Sequence, residues 1–437
     1  MAELDKQEGP HLESLEGDCD VNARWNSLPD VLVIYIYEYL CDYARLQMAC
    51  ACKRWRDLFY TPSLWRRRRV HFIGLKAENK ARRECQYIKI MGRYLKTLTV
   101  SFGKPTYRTV KVMALAAETY LKQLLYDSKL RLTGFVLHHL ALEHCWHFWI
   151  SRNKVIGTLC RLFRRLRYLE TVTVVSCRLS LLEGCRLLES LGRGYAANTL
   201  KVLSADDLFQ TNIIPVRHKR YVHVMSKFSG LTQIYVNYGS INAGILDSFA
   251  ENLSNTLQKL TLSIEKNVSN FIIPSEVWKN FSKHCRHAVV TLYIYVTGRL
   301  YDPTQPLVKG VPVAEVNAVS WASIAQHDHM QGQIPLLIRH VGRTYSDTLE
   351  HLTLQLDQNP PIDEDLLYLL NTCRKLRHLQ LCCCLAVTTV DKIRLLLVQN
   401  VIHLQSLTLN IHGLNEREWH QLRTIQQSLI DAINGRS

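Results

Sequence analysis

The 437-residue chain nowhere reaches about eighteen consecutive apolar side chains, which excludes an ordinary membrane-spanning helix. Its opening stretch, MAELDKQEGPHLESLEGDCD, lacks the basic-then-apolar order of a secretory leader. A soluble protein acting in the cytoplasm, the nucleus or both is therefore expected. Glycine (19) and proline (12) are scarce while apolar residues make up 47%, so low-complexity and collagen-like classes are excluded. At this length the chain is expected to form several folding units or one extended array.

The motifs that carry most known chemistries are also missing. There is no nucleophile elbow, no Walker-type phosphate loop, no kinase signature and no metalloprotease histidine pair. Fourteen cysteines do not imply disulfides, because such frameworks belong to short secreted chains. Cys382, Cys383 and Cys384 are adjacent, and on a strand neighbours face opposite sides, so they cannot share one tetrahedral ion unaided. His138 and His139 with His144, Cys145 and His147, and separately His327 with His329, lack the two spaced ligand pairs of a zinc finger. No catalytic residue, metal or cofactor is expected, and the chain reads as a non-enzyme.

Negative charge is confined. The first twenty residues hold seven acids and one lysine, whereas the whole chain carries +16, so the remainder carries +22. Residues 1–23 read as a disordered acidic tail. A basic body draws in polyanions and acidic protein surfaces without choosing among them.

What is present begins with LPDVLVIYIYEYL at Leu28. Pro29 suits a helix start because its missing N–H is not needed there, so a helix begins near Asp30. Between Val31 and Leu40 the only charge is Glu38, which makes the helix apolar nearly all round, so it must be covered on more than one side. Two further short helices fit Tyr43–Cys50 and Lys53 to about Tyr60, with Pro62 as a stop. A unit this small buries too little to be robust alone, so a permanent partner is expected. Trp55 and Trp65 read as packing residues within helical periodicity, and Arg66 to Arg69 as a solvated face or the junction to the next domain, with a nuclear-import or RNA-contacting role as the alternative.

Leu28-Pro29, Ile36, Leu40, Leu46, Ala51-Cys52-Lys53-Arg54-Trp55, Leu58 and Pro62-Ser63-Leu64-Trp65 together resemble the F-box, with Ala51 standing where that motif usually has valine. The resemblance implies docking onto Skp1, and through it onto a cullin and a RING subunit of a ubiquitin ligase. The implied docking residues are Leu28, Pro29, Ile36, Leu40, Trp55, Leu64 and Trp65, some of which could serve the module's own core.

Beyond this unit one phrase recurs: an aliphatic residue, two others, a second aliphatic, one other, a third. It starts at Leu95, Leu137, Leu169, Leu200, Leu231, Leu257, Val289, Val313, Leu349, Leu376 and Leu404, at intervals of 24 to 42 residues. Such a phrase places its leucines on one face of a short strand, stacked on those of the next repeat. Helical segments lie between the phrases. The spacing resembles leucine-rich repeats, as do Cys145, Cys177 and Cys384, eight residues after their first leucines. Gly103, Leu208, Gly239 and most other such positions depart from that register.

The expected fold class is α/β: a three-helix F-box followed by an irregular leucine-rich-repeat solenoid, a curved parallel sheet with outer helices and an apolar capping helix at the C-terminal end. The domains expected are a tail at 1–23, the F-box at 24–72, a connection at 73–93 and the solenoid at 94–437. The implied role is that of a substrate receptor in a Skp1-cullin-F-box ligase, its repeats holding an unknown protein substrate, by the concave face or the loop after Gly298. Arg161, Arg164 and Arg165 share a helix flank. They are either a solvated face or a receptor for an acidic or phosphorylated segment, since guanidinium forks match phosphate oxygens. The competing reading is a basic scaffold that binds RNA or acidic proteins outside any ligase.

Overall fold

A computed structural model describes residues 25–140, 149–210, 213–265, 272–296, 302–320, 333–357 and 360–434. The acidic tail, the His144–His147 cluster and His327–His329 lie outside these residues. The chain divides into two compact units, Met1–Arg66 and Arg67–Ser437.

The first unit contains α1 (Asp30–Tyr39), α2 (Asp42–Ala51), α3 (Lys53–Phe59) and the single turn α4 (Pro62–Trp65). Pro62 stops one helix and opens the next, because proline is tolerated only in the first turn. The expected three helices are thus followed by a fourth, very short one.

The second unit is one sheet of twelve strands in strict sequence order, every neighbouring pair parallel. The strands are β1 (Arg67–Phe72), β2 (Thr97–Phe102), β3 (Gly134–His138), β4 (Thr171–Val175), β5 (Val202–Ser204), β6 (Gln233–Asn237), β7 (Lys259–Ile264), β8 (Val289–Tyr295), β9 (Val313–Ser320), β10 (His351–Leu356), β11 (His378–Cys384) and β12 (Ser406–His412). Helices alternate with them: α5 (Ala77–Met91), α6 (Val110–Tyr126), α7 (Trp149–Arg165), α8 (Leu181–Gly192), α9 (Lys219–Met225), α10 (Ala243–Asn252), α11 (Ser275–His284), α12 (Gln333–Thr344), α13 (Asp363–Thr372), α14 (Val387–Val398) and α15 (Glu416–Asn434). Parallel neighbours require such crossovers.

This architecture corrects the leucine-rich-repeat solenoid. The chain carries a β/α repeat of the kind that builds TIM barrels, here extended to twelve strands with β1 and β12 at opposite ends of the order. The recurring phrase marks strands because any half-buried strand packed under a helix places aliphatic side chains at alternate positions. It does not specify which β/α family produced it. The connecting elements include full α-helices of up to 17 residues between strands. Of the three cysteines at the eight-residue register, Cys177 is buried, Cys384 is half-buried, and Cys145 lies outside the described residues. β1 was not among the expected strands, because its alternation is masked by Arg67, Arg68 and Arg69.

The core runs in ladders under the helices. Leu98 registers with Phe135, Val172, Leu203, Ile234 and Leu260 in successive strands, all buried. No α-helix joins β8 to β9 among the described residues. Leu307 and Val311 fill that part of the core instead. Their segment is held by His340 Nε2 against Leu307 O (2.7 Å), Tyr345 Oη donating to Val308 O (3.3 Å) and Ser275 Oγ donating to Lys309 O (2.5 Å).

The opposite face is polar and in its middle also buried. Ser263 Oγ donates to Asp206 Oδ1 at 2.5 Å, and burial pushes the Asp206 carboxyl above its usual range. Burial also opposes charge on Glu315. Hydrogen bonds from Asn317, Lys259 and Thr291 outweigh it and hold that carboxyl low.

Glu84 on α5 is 1% exposed and receives two hydrogen bonds of 2.8 Å from Arg68 on β1, with Lys80 Nζ also at 2.8 Å. Arg68 further lies 4.1 Å over the Tyr87 ring. Part of the arginine run is thus an internal fastening of the first strand. Arg68→Met should lower the stability of the second unit by about 3 kcal/mol in chemical denaturation, because it leaves a buried carboxylate short of its main partner. Adding Glu84→Leu should recover most of that loss.

Candidate adaptor-docking surface

The residues of α1 divide into two sets. Val33 and Tyr37, four apart and hence on one face, are both 0% exposed. Tyr37 Oη donates to Trp55 O at 2.9 Å, and burial, with smaller contributions from Cys52 and Cys50, pushes its hydroxyl up to about 12. On the other side stand Val31 (76% exposed), Leu32, Tyr35 and Tyr39 (74%), continued on α2 by Tyr43 (72%) and Leu46. Tyr35 and Tyr39 stack edge-to-face at 5.0 Å and share a hydroxyl hydrogen bond of 2.7 Å. That bond is the main cause of the raised Tyr39 hydroxyl. The result is an apolar and aromatic set of side chains in water on α1 and the start of α2. Exposed faces of this type mark interaction sites, and tyrosine is enriched at interfaces because one end is apolar and the other polar.

Two arginines hold the face in place from behind. Arg45 on α2 donates from Nε to Tyr37 O (2.8 Å), from one terminal nitrogen to Leu64 O (3.1 Å) and from the other to Glu38 O (3.3 Å). It thereby adds side-chain donors at the carbonyl end of α1, where backbone partners run short and Tyr37 O otherwise accepts from Leu40 N–H. Its guanidinium also lies 5.3 Å from the Trp65 ring centre. Arg54 on α3 pairs with Asp30 in the first turn of α1 and donates to Leu28 O. The acid also suits the positive end of the helix.

The expected docking residues fall into three groups. Pro29 is exposed at the mouth of α1. Leu28, Ile36, Leu40 and Trp55 are half-buried. Leu64 and Trp65 are buried, with the Trp65 ring 4.8 Å from Phe59 and its indole N–H on Phe59 O at 2.5 Å. The sequence pattern did not single out Val31, Leu32, Tyr35, Tyr39 or Tyr43. The available signal was the absence of a polar side on α1, which required some apolar residues to face outward.

A family model described as F-box-like matches residues 25–71. The chain carries an F-box-like domain near its N-terminus. Such a domain is a non-catalytic protein–protein interaction module, and F-box domains associate with Skp1-like adaptors. The match runs through most of β1 (Arg67–Phe72) and reaches no other strand. The resemblance to F-box proteins with C-terminal leucine-rich repeats is thus corrected: it extends to the F-box-like module, and the remainder is the twelve-stranded parallel sheet.

The arginines expected at a substrate site belong to the second unit and separate. Arg165 donates to Leu125 O at 2.7 Å, closing the last turn of α6. Arg161 and Arg164 are exposed and line a cleft of about 540 Å³ with Lys154 and Arg186. At the far end of the sheet Cys382 Sγ lies 3.2 Å from His412 Nε2, and no group of three or more potential metal ligands occurs among the described residues.

Arg45→Met should remove the fastening of α1 while leaving its exposed side chains unchanged. Hydrogen exchange of α1 amides in the full chain should then accelerate by about tenfold or more, as expected for losing hydrogen bonds from a charged donor. Amides of β6 to β8 should be unaffected.

Proposed function

We propose that the chain is a non-catalytic receptor. Its F-box-like module docks a Skp1-like adaptor, and through it a cullin and a RING subunit. The β/α sheet unit holds a protein substrate for ubiquitin transfer by the other subunits. The observation that carries this reading is the exposed face of Val31, Leu32, Tyr35, Tyr39 and Tyr43 on a helix whose inner side is already filled. Covering it removes apolar area from water at about 25 cal/mol per Å². Half-buried Leu28, Ile36 and Leu40 border the same helix and extend the contact.

The chemistry required of such a chain is positional. Holding a substrate lysine beside a charged ubiquitin carrier converts an encounter in solution into a reaction within one complex. No nucleophile or base is needed from the receptor. The polar sheet face and the helix layer offer the substrate a surface distinct from the adaptor's, so the two bindings need not compete.

The test is capture of purified Skp1-like adaptor by the full chain and by a Leu32→Asp, Tyr35→Asp variant. Both positions are exposed, so circular dichroism and melting should match the parent. Affinity should fall by at least about thirtyfold, the equivalent of one central hot spot of about 2 kcal/mol. Undiminished capture by a folded variant contradicts the assignment.

A further inference from the structure

The cleft on the helix layer between α6, α7 and α8 has a composition that the receptor reading leaves unexplained. Lys154, Arg161 and Arg164 project from α7 at helical spacing and Arg186 from α8, all exposed around one concavity. The one acid in the lining, Glu118, is already engaged by Lys122 Nζ at 2.8 Å. Two acids on α8 are similarly committed, Glu183 to Arg152 at 2.5 Å and Glu189 to Arg220 at 2.8 and 2.9 Å. Among the described residues no carboxylate lies within ion-pair distance of the four cleft cations. Arg161 makes one contact, to the Thr158 hydroxyl at 3.1 Å.

The floor of the cleft is built by omission. Gly157 lies on the same stripe of α7, and a Cβ placed there would meet nothing within 4 Å. A glycine inside a helix costs about 1 kcal/mol relative to alanine, and here no close packing requires it. What its absent side chain provides is room beneath the cations. Cys160, Arg164 and Arg186 line the cleft beside it, and burial, aided by Glu189, raises the Cys160 thiol against the opposing effect of Ser190, Arg186 and Arg164.

We propose that this cleft binds a phosphorylated side chain of the protein substrate. A lone carboxylate can occupy one or two cationic donors, whereas a phosphate monoester carries close to two charges and three acceptor oxygens. Three guanidinium forks and an ammonium arranged around an open floor suit the phosphate. The identity of the bearer as a substrate rests on the receptor reading. The cleft's preference for the phosphate does not.

The full chain bound to its adaptor should be titrated with a fluorescent random-peptide library carrying one fixed phosphoserine, the same library with serine, and a single-stranded RNA. At physiological salt the phosphoserine library should bind at least about tenfold more tightly than the serine library, the equivalent of about 1.4 kcal/mol. Arg164→Gln with Arg186→Gln should abolish that preference. Gly157→Leu should do so too, by filling the floor without changing any charge, while favouring the helix. Equal binding of the two libraries overturns the proposal. So does a preference that survives the substitutions in folded protein, or tighter binding of the RNA than of either peptide. Adaptor retention, read in the same samples, reports on the docking surface separately from the cleft.

Discussion

A ten-residue helix with one charged residue after its first turn cannot be covered by three short neighbours. Helix α1 buries Val33 and Tyr37 inward and has no further core into which to turn Val31, Leu32, Tyr35 and Tyr39. The rest of the first unit follows from that constraint. Arg45 and Arg54 tie the two ends of the helix to the small bundle, using carbonyls and an acid that the helix termini leave available. A face held this rigidly loses little additional freedom on binding, which favours association at a given buried area.

The second unit solves its burial problem internally. Each strand contributes aliphatic side chains to ladders under the helices, and its other positions carry hydroxyls, amides and tyrosines. Purely parallel sheets are usually apolar on both faces. The polar face here is stabilised where it is most buried by mutual hydrogen bonding, as at Asp206 with Ser263 and Glu315 with Lys259. Around the cleft the helix layer pairs Glu118, Glu183 and Glu189 with Lys122, Arg152 and Arg220, and the four cleft cations have no carboxylate within ion-pair distance among the described residues. The first unit thus presents an apolar surface and the second a polar, cationic one.

Local patterns of this fold were legible in the residues. The start of α1 at Asp30 and the positions of ten strands follow from proline placement and the aliphatic phrase, whereas the phrase placed at Leu137 overlaps only the last two residues of β3. β1 was not legible, because three arginines conceal the alternation of Val70 and Phe72, and the partner that justifies Arg68, Glu84, is brought close only by the fold. The leucine-rich-repeat assignment failed for a general reason: alternation reports that a strand is half-buried and is indifferent to what connects it to the next. The exposed apolar face was legible as a composition, an apolar helix with no polar side, but not residue by residue. Which of Tyr35 and Tyr37 faces outward depends on where α3 lies. Likewise Arg161, Arg164 and Arg165 look equivalent in sequence, and only the position of the end of α6 assigns Arg165 to a carbonyl and the other two to an open cleft.

The central claim is that the outward face of α1 and α2 is half of an apolar contact with a Skp1-like adaptor. Isothermal titration calorimetry of the full chain with purified adaptor at several temperatures tests it most directly, because burial of apolar area gives a negative heat-capacity change on binding. The account predicts a stoichiometric association whose enthalpy becomes steadily more favourable on warming. An absence of binding, or binding whose enthalpy is flat with temperature, contradicts it.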